Sequence, residues 1–190
     1  MEELEVLETA QAALMAGNTI LYPTDTIWGV GCDATNAAAV EKVYALKQRD
    51  HSKSMLVLCS EKTMVEHFVG PVDERVGELL FGSERPTTVI MPVQNKLLAD
   101  NIVAADGTIG VRVPKMSFCQ KLLRLLGRPI VSSSANLSGR PSPASYADIE
   151  EELKYRIDFC VPAEYEEKTA GHSSRIVKLM SDGSIFVIRD

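Results

Sequence analysis

Leu4, Leu7 and Leu14 recur near helical spacing at the start of the chain, and Gly17 stands where that helix would close. The period then changes. Residues 18–22 read as a strand, stopped by Pro23. Asn36 is placed as the N-cap of a helix carrying Val40, Val43 and Tyr44 on one face. Residues 55–59 are a short continuous apolar run, the pattern of a buried strand. Ser60 is placed to cap the next helix, and Pro71 to start another that ends near Gly82. Residues 87–91 and 108–113 predict strands. Ser117 is placed to cap a helix with Phe118, Leu122, Leu125 and Leu126, closed by Gly127. Residues 130–133 predict a strand that runs into a polar, Gly- and Pro-rich loop at 134–143. Ser145 and Asp148 have the spacing of a capping box for a following helix. Residues 157–161 predict a strand. Residues 176–180 and 185–189 flank Ser181-Asp182-Gly183-Ser184, a hairpin signal. No repeat or linker divides the pattern, which predicts one domain over residues 1–190. Strands and helices mix without strict alternation, so the expected class is α/β (α+β mixed), a mixed sheet flanked by helices.

Composition narrows the function classes. The chain has 190 residues, 45% apolar and 24% charged, values normal for a soluble globular protein and large enough to bury a core without staples. Lys and Arg number 20 against 26 Asp and Glu, a net charge of −6. A protein that coats nucleic acid by bulk charge has the opposite balance, although local basic clusters remain able to bind phosphate. Cys32, Cys59, Cys119 and Cys160 form no Cys-x-x-Cys pair, and His51, His67 and His172 show no metal-ligand spacing, so no metal site is expected. The acidic N-terminus lacks the basic start and apolar core of a signal peptide, and no apolar run approaches a membrane span. A cytoplasmic protein without membrane contact is expected. Walker, Gly-x-Gly-x-x-Gly, His-Glu-x-x-His and Gly-x-Ser-x-Gly motifs are absent.

Four polar segments attached to strand ends carry the candidate chemistry. Residues 22–33 place Thr24, Asp25 and Thr26 on a rigid turn after a strand, and Gly29 and Gly31 permit close approach of a ligand or a second backbone. A turn satisfied by its own side chains has the same composition. Residues 47–53 gather Lys47, Arg49, His51 and Lys53 at a helix end. Cations there complement the helix dipole, and a cluster of this density also suits a polyphosphate. Arg112 interrupts an apolar strand at 108–114, where it must be paired or face a cleft. Residues 132–142 string hydroxyls, the Asn136 amide and Gly139 after a strand, a composition that fits either an anion-binding loop or a polar surface loop.

Together, and in this order, the pieces YPTDTIWGVGCDA (22–34), KQR (47–49), TIGVRVP (108–114), SSANLSGRPS (133–142), SSRIVKL (173–179) and the terminal IR resemble the YrdC/TsaC family, the threonylcarbamoyl-AMP synthases. The resemblance runs from about residue 20 to residue 189, in the short form without an additional C-terminal domain. It implies a single YrdC-like domain: a twisted mixed sheet with a basic concave cavity. It implies an enzyme, a nucleotidyltransferase. That enzyme joins L-threonine, bicarbonate and ATP, with Mg²⁺ on the phosphates, into threonylcarbamoyl-AMP and pyrophosphate. A downstream complex then transfers the threonylcarbamoyl group to tRNA.

Carried over residue by residue, the resemblance puts Lys47, Arg49, Ser134 and Asn136 at the reaction centre. Those four would contact ATP together with Lys53, Thr108, Ser142 and Arg189. Thr26, Arg112, Ser132 and Ser174 would contact threonine, with Thr24 and Asp25 shaping the turn. The chain departs from the usual family pattern at Glu84-Arg85, Lys53-Ser54, Arg175 and Lys178. Arg175 is expected to point away from the cavity, toward solvent or an acidic partner, because neighbours on a strand face opposite sides. The alternative reading is a divergent YrdC/YciO-like paralogue acting as a double-stranded RNA or tRNA-binding module.

Overall fold

The structure is a computed structural model that describes residues 2–51, 55–167, 172–180 and 182–190. Its described strands form one mixed sheet. In chain order they are β1 (Ile20–Tyr22), β2 (Gly29–Gly31), β3 (Leu56–Leu58), β4 (Thr87–Pro92), β5 (Thr108–Arg112), β6 (Ile130–Ser134), β7 (Phe159–Cys160), β8 (Arg175–Leu179) and β9 (Ile185–Arg189). Across the sheet the order is β7-β1-β2-β6-β3-β5-β4-β8-β9. The pairs β7–β1, β3–β5 and β4–β8 are parallel and the others antiparallel. The helices α1 (Glu3–Met15), α2 (Ala37–Lys47), α3 (Lys62–Phe68), α4 (Glu74–Gly77), α5 (Ser117–Leu126) and α6 (Glu151–Arg156) accompany it. α1 packs on α5, where Gln11 Nε2 donates to the Leu125 carbonyl at 2.7 Å. The expected mixed α/β class is what the chain adopts.

Local chemistry explains most element ends. Asn36 caps α2 by accepting from the Ala39 N–H at 3.1 Å. Gly17 and Gly127 stand at φ +73 and +68, the left-handed backbone that closes α1 and α5. Three expected starts are corrected. Ser60 does not cap α3: Glu61 precedes that helix, and the Ser60 hydroxyl turns to the Met64 sulfur at 3.7 Å. Pro71 does not begin α4, because Asp73 supplies the acceptor that the Val76 N–H needs, at 2.8 Å. Ser117 is the first helical residue of α5 after Met116, and Leu125 turns out to solvent while Cys119 and Leu123 join the buried face. The Ser145–Asp148 capping box exists, on a single 3₁₀ turn (Tyr146–Asp148) rather than on α6.

β2 did not declare itself in the apolar pattern, because two of its three residues are glycine. The glycines are there for space. A Cβ on Gly31 would stand 2.1 Å from the Val131 carbonyl oxygen and 2.9 Å from the Tyr22 ring. The β2–β6 contact therefore admits no side chain at this position, and the buried Tyr22 ring lies across the bare strand. Gly31→Ala is expected to cost about 2 kcal/mol or more through overpacking, measured by urea denaturation. An unchanged midpoint would contradict this close approach.

Candidate active site

The site is built around two cations drawn into the interior. Arg112 ends β5 and is 3% exposed. Its Nη1 donates to Asp25 Oδ1 at 2.8 Å and to Thr26 Oγ1 at 3.0 Å, and its Nη2 to Thr24 Oγ1 at 3.4 Å. The second Asp25 oxygen accepts from the Lys115 backbone N–H at 3.0 Å. The turn also closes on itself: the Thr24 hydroxyl donates to the Ile27 carbonyl at 2.7 Å, and the Thr26 N–H donates to Thr24 Oγ1 at 3.2 Å. The two sequence readings of this turn are thus joined, since its hydroxyls satisfy the turn and the guanidinium together. Arg112 Nε is left buried with no partner among the described residues.

The second cation is Lys47, the last residue of α2, 1% exposed. Its Nζ donates to the carbonyls of Ser134 and Asn136, the latter at 2.9 Å, and its own carbonyl accepts from the Ser138 N–H at 2.9 Å. The loop after β6 is therefore pinned to the end of α2 at three points. Asn136 Nδ2 closes the loop by donating to the carbonyls of Leu137 at 2.9 Å and Arg140 at 2.7 Å, and its Oδ1 is buried without a partner among the described residues. Burial, reinforced by the charge of Arg49, pulls the Lys47 ammonium down to about 7.

A cavity of about 210 Å³ is lined by Arg49, Thr88, Ser132, Ser134, Ser173 and Arg189 together with the apolar Met55, Leu56, Ile90 and Ile176, with Gly110 among its walls. Its described lining contains no Asp or Glu. Arg189 is oriented by the Ser174 carbonyl, to which its Nε donates at 3.0 Å and its Nη2 at 2.7 Å. The Ser174 hydroxyl stands 2.8 Å from the Thr88 hydroxyl. Burial, and then the nearby Arg112 charge, lower the Arg189 guanidinium from its ordinary value, so two like charges share this region.

Arg49, Ser132, Ser134 and Arg189 are thus brought together on the cavity. Lys47 and Asn136 stand behind it through the loop, Thr26 and Arg112 hold the turn, and Ser174 stands behind Thr88. Thr108 and Ser142 are not among the lining residues. The Thr108 hydroxyl donates to Asp106 Oδ1 at 2.6 Å at the far end of β5 from Arg112, and Ser142 is exposed. Lys53 lies outside the described residues. Thr88 and Ser173 are lining residues that residue chemistry alone did not single out. Their signal is a hydroxyl on the face of a strand, or just before a strand, that otherwise carries apolar residues. Three of the departures have acidic partners: Arg175 and Arg85 both approach Asp190 Oδ1, at 3.5 and 2.9 Å, and Lys178 pairs with Asp106 at 2.7 Å, whereas Lys53 and Ser54 lie outside the described residues. Arg175 is ion-paired with Asp190, and its buried Nε makes no hydrogen bond among the described residues.

A cavity that sets arginines and hydroxyls, with no described carboxylate, on a mixed sheet offers hydrogen-bond donors to an anion. The chain belongs to the Sua5/YciO/YrdC family, whose family model, described as telomere recombination, matches residues 12–190. It is 33% identical over 155 residues to a threonylcarbamoyl-AMP synthase of Photobacterium profundum, covering 79% of this chain and 82% of the relative. It is 29% identical over 191 residues to that of Pseudoalteromonas translucida, covering 98% and 99%. Among solved structures it resembles P. abyssi Sua5 complexed with L-threonine, with TM-score 0.86 and 22% identity over the whole chain. It spans only 54% of that protein. It also resembles E. coli YciO, with TM-score 0.80 and 22% identity, covering 100% of this chain and 90% of the other. At these identities the structural likeness is one of fold.

Two outcomes follow from the anchors. Asp25→Ala strands a buried guanidinium, and the fold should lose about 3 kcal/mol or more in urea denaturation; a loss below 1 kcal/mol would mean the pair is not a true anchor. Lys47 gives a pH signature. Its ordinary value is 10.5 and its folded value about 7. The unfolded chain therefore holds one more proton between pH 7 and about 10, and stability from this group rises with pH across that window. The cost of burying the charge is full below pH 7. Wild type should gain stability relative to Lys47→Met from pH 7 to 9.5, and parallel curves would contradict the shift.

Proposed function

We propose that this chain is an L-threonylcarbamoyladenylate synthase. It joins L-threonine, bicarbonate and ATP into L-threonylcarbamoyl-AMP with release of pyrophosphate, a nucleotidyl transfer that serves the threonylcarbamoyladenosine modification of tRNA. The observation that carries the reading is the cavity itself: Arg49 and Arg189 on a lining with hydroxyls and no described acid, where the lining residue Thr88 pairs across the sheet with Arg112, a buried arginine with an unfilled donor. The relatives named threonylcarbamoyl-AMP synthase support it, as does the likeness to a Sua5 structure holding L-threonine.

The chemistry asks little of the protein beyond position and charge. The threonine amine adds to carbon dioxide derived from bicarbonate, giving a carbamate. A carbamate oxygen attacks the α-phosphorus, and the bond to the β,γ-diphosphate breaks. Arg49 and Arg189 neutralise the phosphates as charge shifts to the leaving group. Lys47 holds residues 134–136 in place by donating to the carbonyls of Ser134 and Asn136. Arg112 Nε and Ser132 receive the threonine carboxylate, and Ser174 closes that side. Mg²⁺ would be expected with the triphosphate. It keeps several waters and binds largely through substrate phosphates; the described lining supplies hydroxyls without a carboxylate, with no metal-binding cluster among the described residues. The ion would come with the nucleotide's phosphates, and no step is routed through it. No described helix is long and apolar enough to cross a membrane; a cytoplasmic place, near tRNA and the complex that consumes the adenylate, belongs to the proposal.

The test is pyrophosphate release from ATP. It should require both L-threonine and bicarbonate. Arg49→Ala should lower kcat/KM for ATP by thirtyfold or more, the effect of losing about 2 kcal/mol from a desolvated charge contact. Pyrophosphate release that ignores threonine, or RNA binding in place of turnover, would overturn the reading.

A further inference from the structure

Outside the ligand-facing residues, one carboxylate stands at an unusual crossing of chain segments. Glu166 Oε1 accepts from Trp28 Nε1 at 2.6 Å and from the Tyr146 backbone N–H at 2.9 Å. Trp28 is 1% exposed. An indole N–H has no alternative to donating, so a buried one must find an acceptor. The two donors come from distant parts of the sequence: Trp28 from the end of the turn that holds Arg112, Tyr146 from the 3₁₀ turn beyond the cavity loop. The Tyr146 ring meets the Trp28 indole edge-on, with centroids 4.9 Å apart, and Lys154 Nζ stands 4.4 Å from the Tyr146 centroid on its other contact.

Trp28 is also held at its backbone. Its carbonyl accepts from the Ala135 N–H at 2.9 Å, between Ser134 and Asn136. The preceding residue, Ile27, gives its carbonyl to Thr24, whose hydroxyl receives Arg112. A shift of Trp28 would therefore be felt both at the turn around Arg112 and at the loop behind the cavity. Glu166 itself lies eight residues before Ser174, the residue that meets Thr88 and orients Arg189. A charged acceptor gives the stronger and shorter hydrogen bond, which suits an oxygen shared by two donors.

We infer that Glu166 is a positioning residue for the amino-acid end of the cavity. Its carboxylate fixes Trp28, and through Trp28 the turn of Thr24 and Thr26 and the cavity loop. It does so without touching a substrate. The inference rests on the proposed threonine- and ATP-dependent reaction.

Trp28 is the one tryptophan of the chain and reports on its own surroundings. Wild type, Glu166→Ala, Glu166→Gln and Trp28→Phe are compared in pyrophosphate release and, where Trp28 remains, in fluorescence. Glu166→Ala should raise KM for L-threonine at least tenfold, raise KM for ATP by a smaller factor, no more than threefold, through the loop at 134–136, and shift Trp28 emission to longer wavelength. Glu166→Gln keeps an acceptor oxygen and should return the threonine KM to within threefold of wild type. Trp28→Phe removes one donor and should make the further change Glu166→Ala cost less than it does alone. Wild type without threonine-dependent turnover would sink the functional reading and the inference with it. Normal wild-type turnover combined with an unchanged threonine KM in Glu166→Ala would overturn the inference alone. So would equal losses for threonine and ATP, or a Glu166→Ala variant that merely unfolds while Glu166→Gln behaves no better.

Discussion

A guanidinium placed inside a sheet has to be paired, and the arrangement of this protein follows from how Arg112 meets that demand. β5 carries it to the buried end of the strand, where Asp25, Thr24 and Thr26 supply the acceptors. That requirement fixes the turn between β1 and β2. The turn fixes Trp28, and the Trp28 carbonyl takes the Ala135 N–H of the loop after β6. From the other side, Lys47 takes the carbonyls that flank Ala135. Two buried cations thus hold one loop between them, and the cavity is the space left in front of it. Breaking either pairing exposes an uncompensated charge in a low-dielectric interior, which makes the arrangement stiff.

The same economy explains how an acidic chain lines a cavity with arginines. The net charge is −6, yet the described cavity lining has arginines and no carboxylates. Burial, and then the Arg112 charge, disfavour the charge of Arg189, and burial weakens the hold of Lys47 on its proton. These costs are built into the fold. A ligand bearing phosphates and a carboxylate would relieve them, so the unfavourable electrostatics favour binding. Global charge governs solubility and long-range approach; the local field is set by which side chains the sheet turns inward.

Much of the fold was legible because its signals are local. Asn36, Gly17, Gly127 and the Ser145–Asp148 box act within a turn of their own positions. Ser60, Pro71 and Ser117 misled because a good capping residue is only a candidate until the neighbouring backbone settles which N–H is free. β2 was invisible as an apolar run because its glycines answer to Val131 and Tyr22, far away in sequence. The apolar run in β9 looked like other strands, yet residues 185–188 are exposed at the sheet edge. The site divides in the same way. Composition pointed to Arg112, Lys47 and the loop at 132–142, and the family resemblance grouped them. That Lys47 grips carbonyls, that the Thr108 hydroxyl is taken by Asp106, and that Ser142 stays outside depend on contacts across the sheet that no local pattern encodes.

The central claim is that one preformed cavity receives the amino acid beside Arg112 and the phosphates beside Arg49 and Arg189. The most direct measurement is a crystal structure of the chain with L-threonine and a non-hydrolysable ATP analogue. The account predicts the threonine carboxylate within hydrogen-bond distance of Arg112 Nε and Ser132, and triphosphate oxygens on Arg49 and Arg189. The loop at 134–136 should still be held by Lys47. A nucleotide bound elsewhere, or a threonine that leaves Arg112 Nε without a partner, would contradict it.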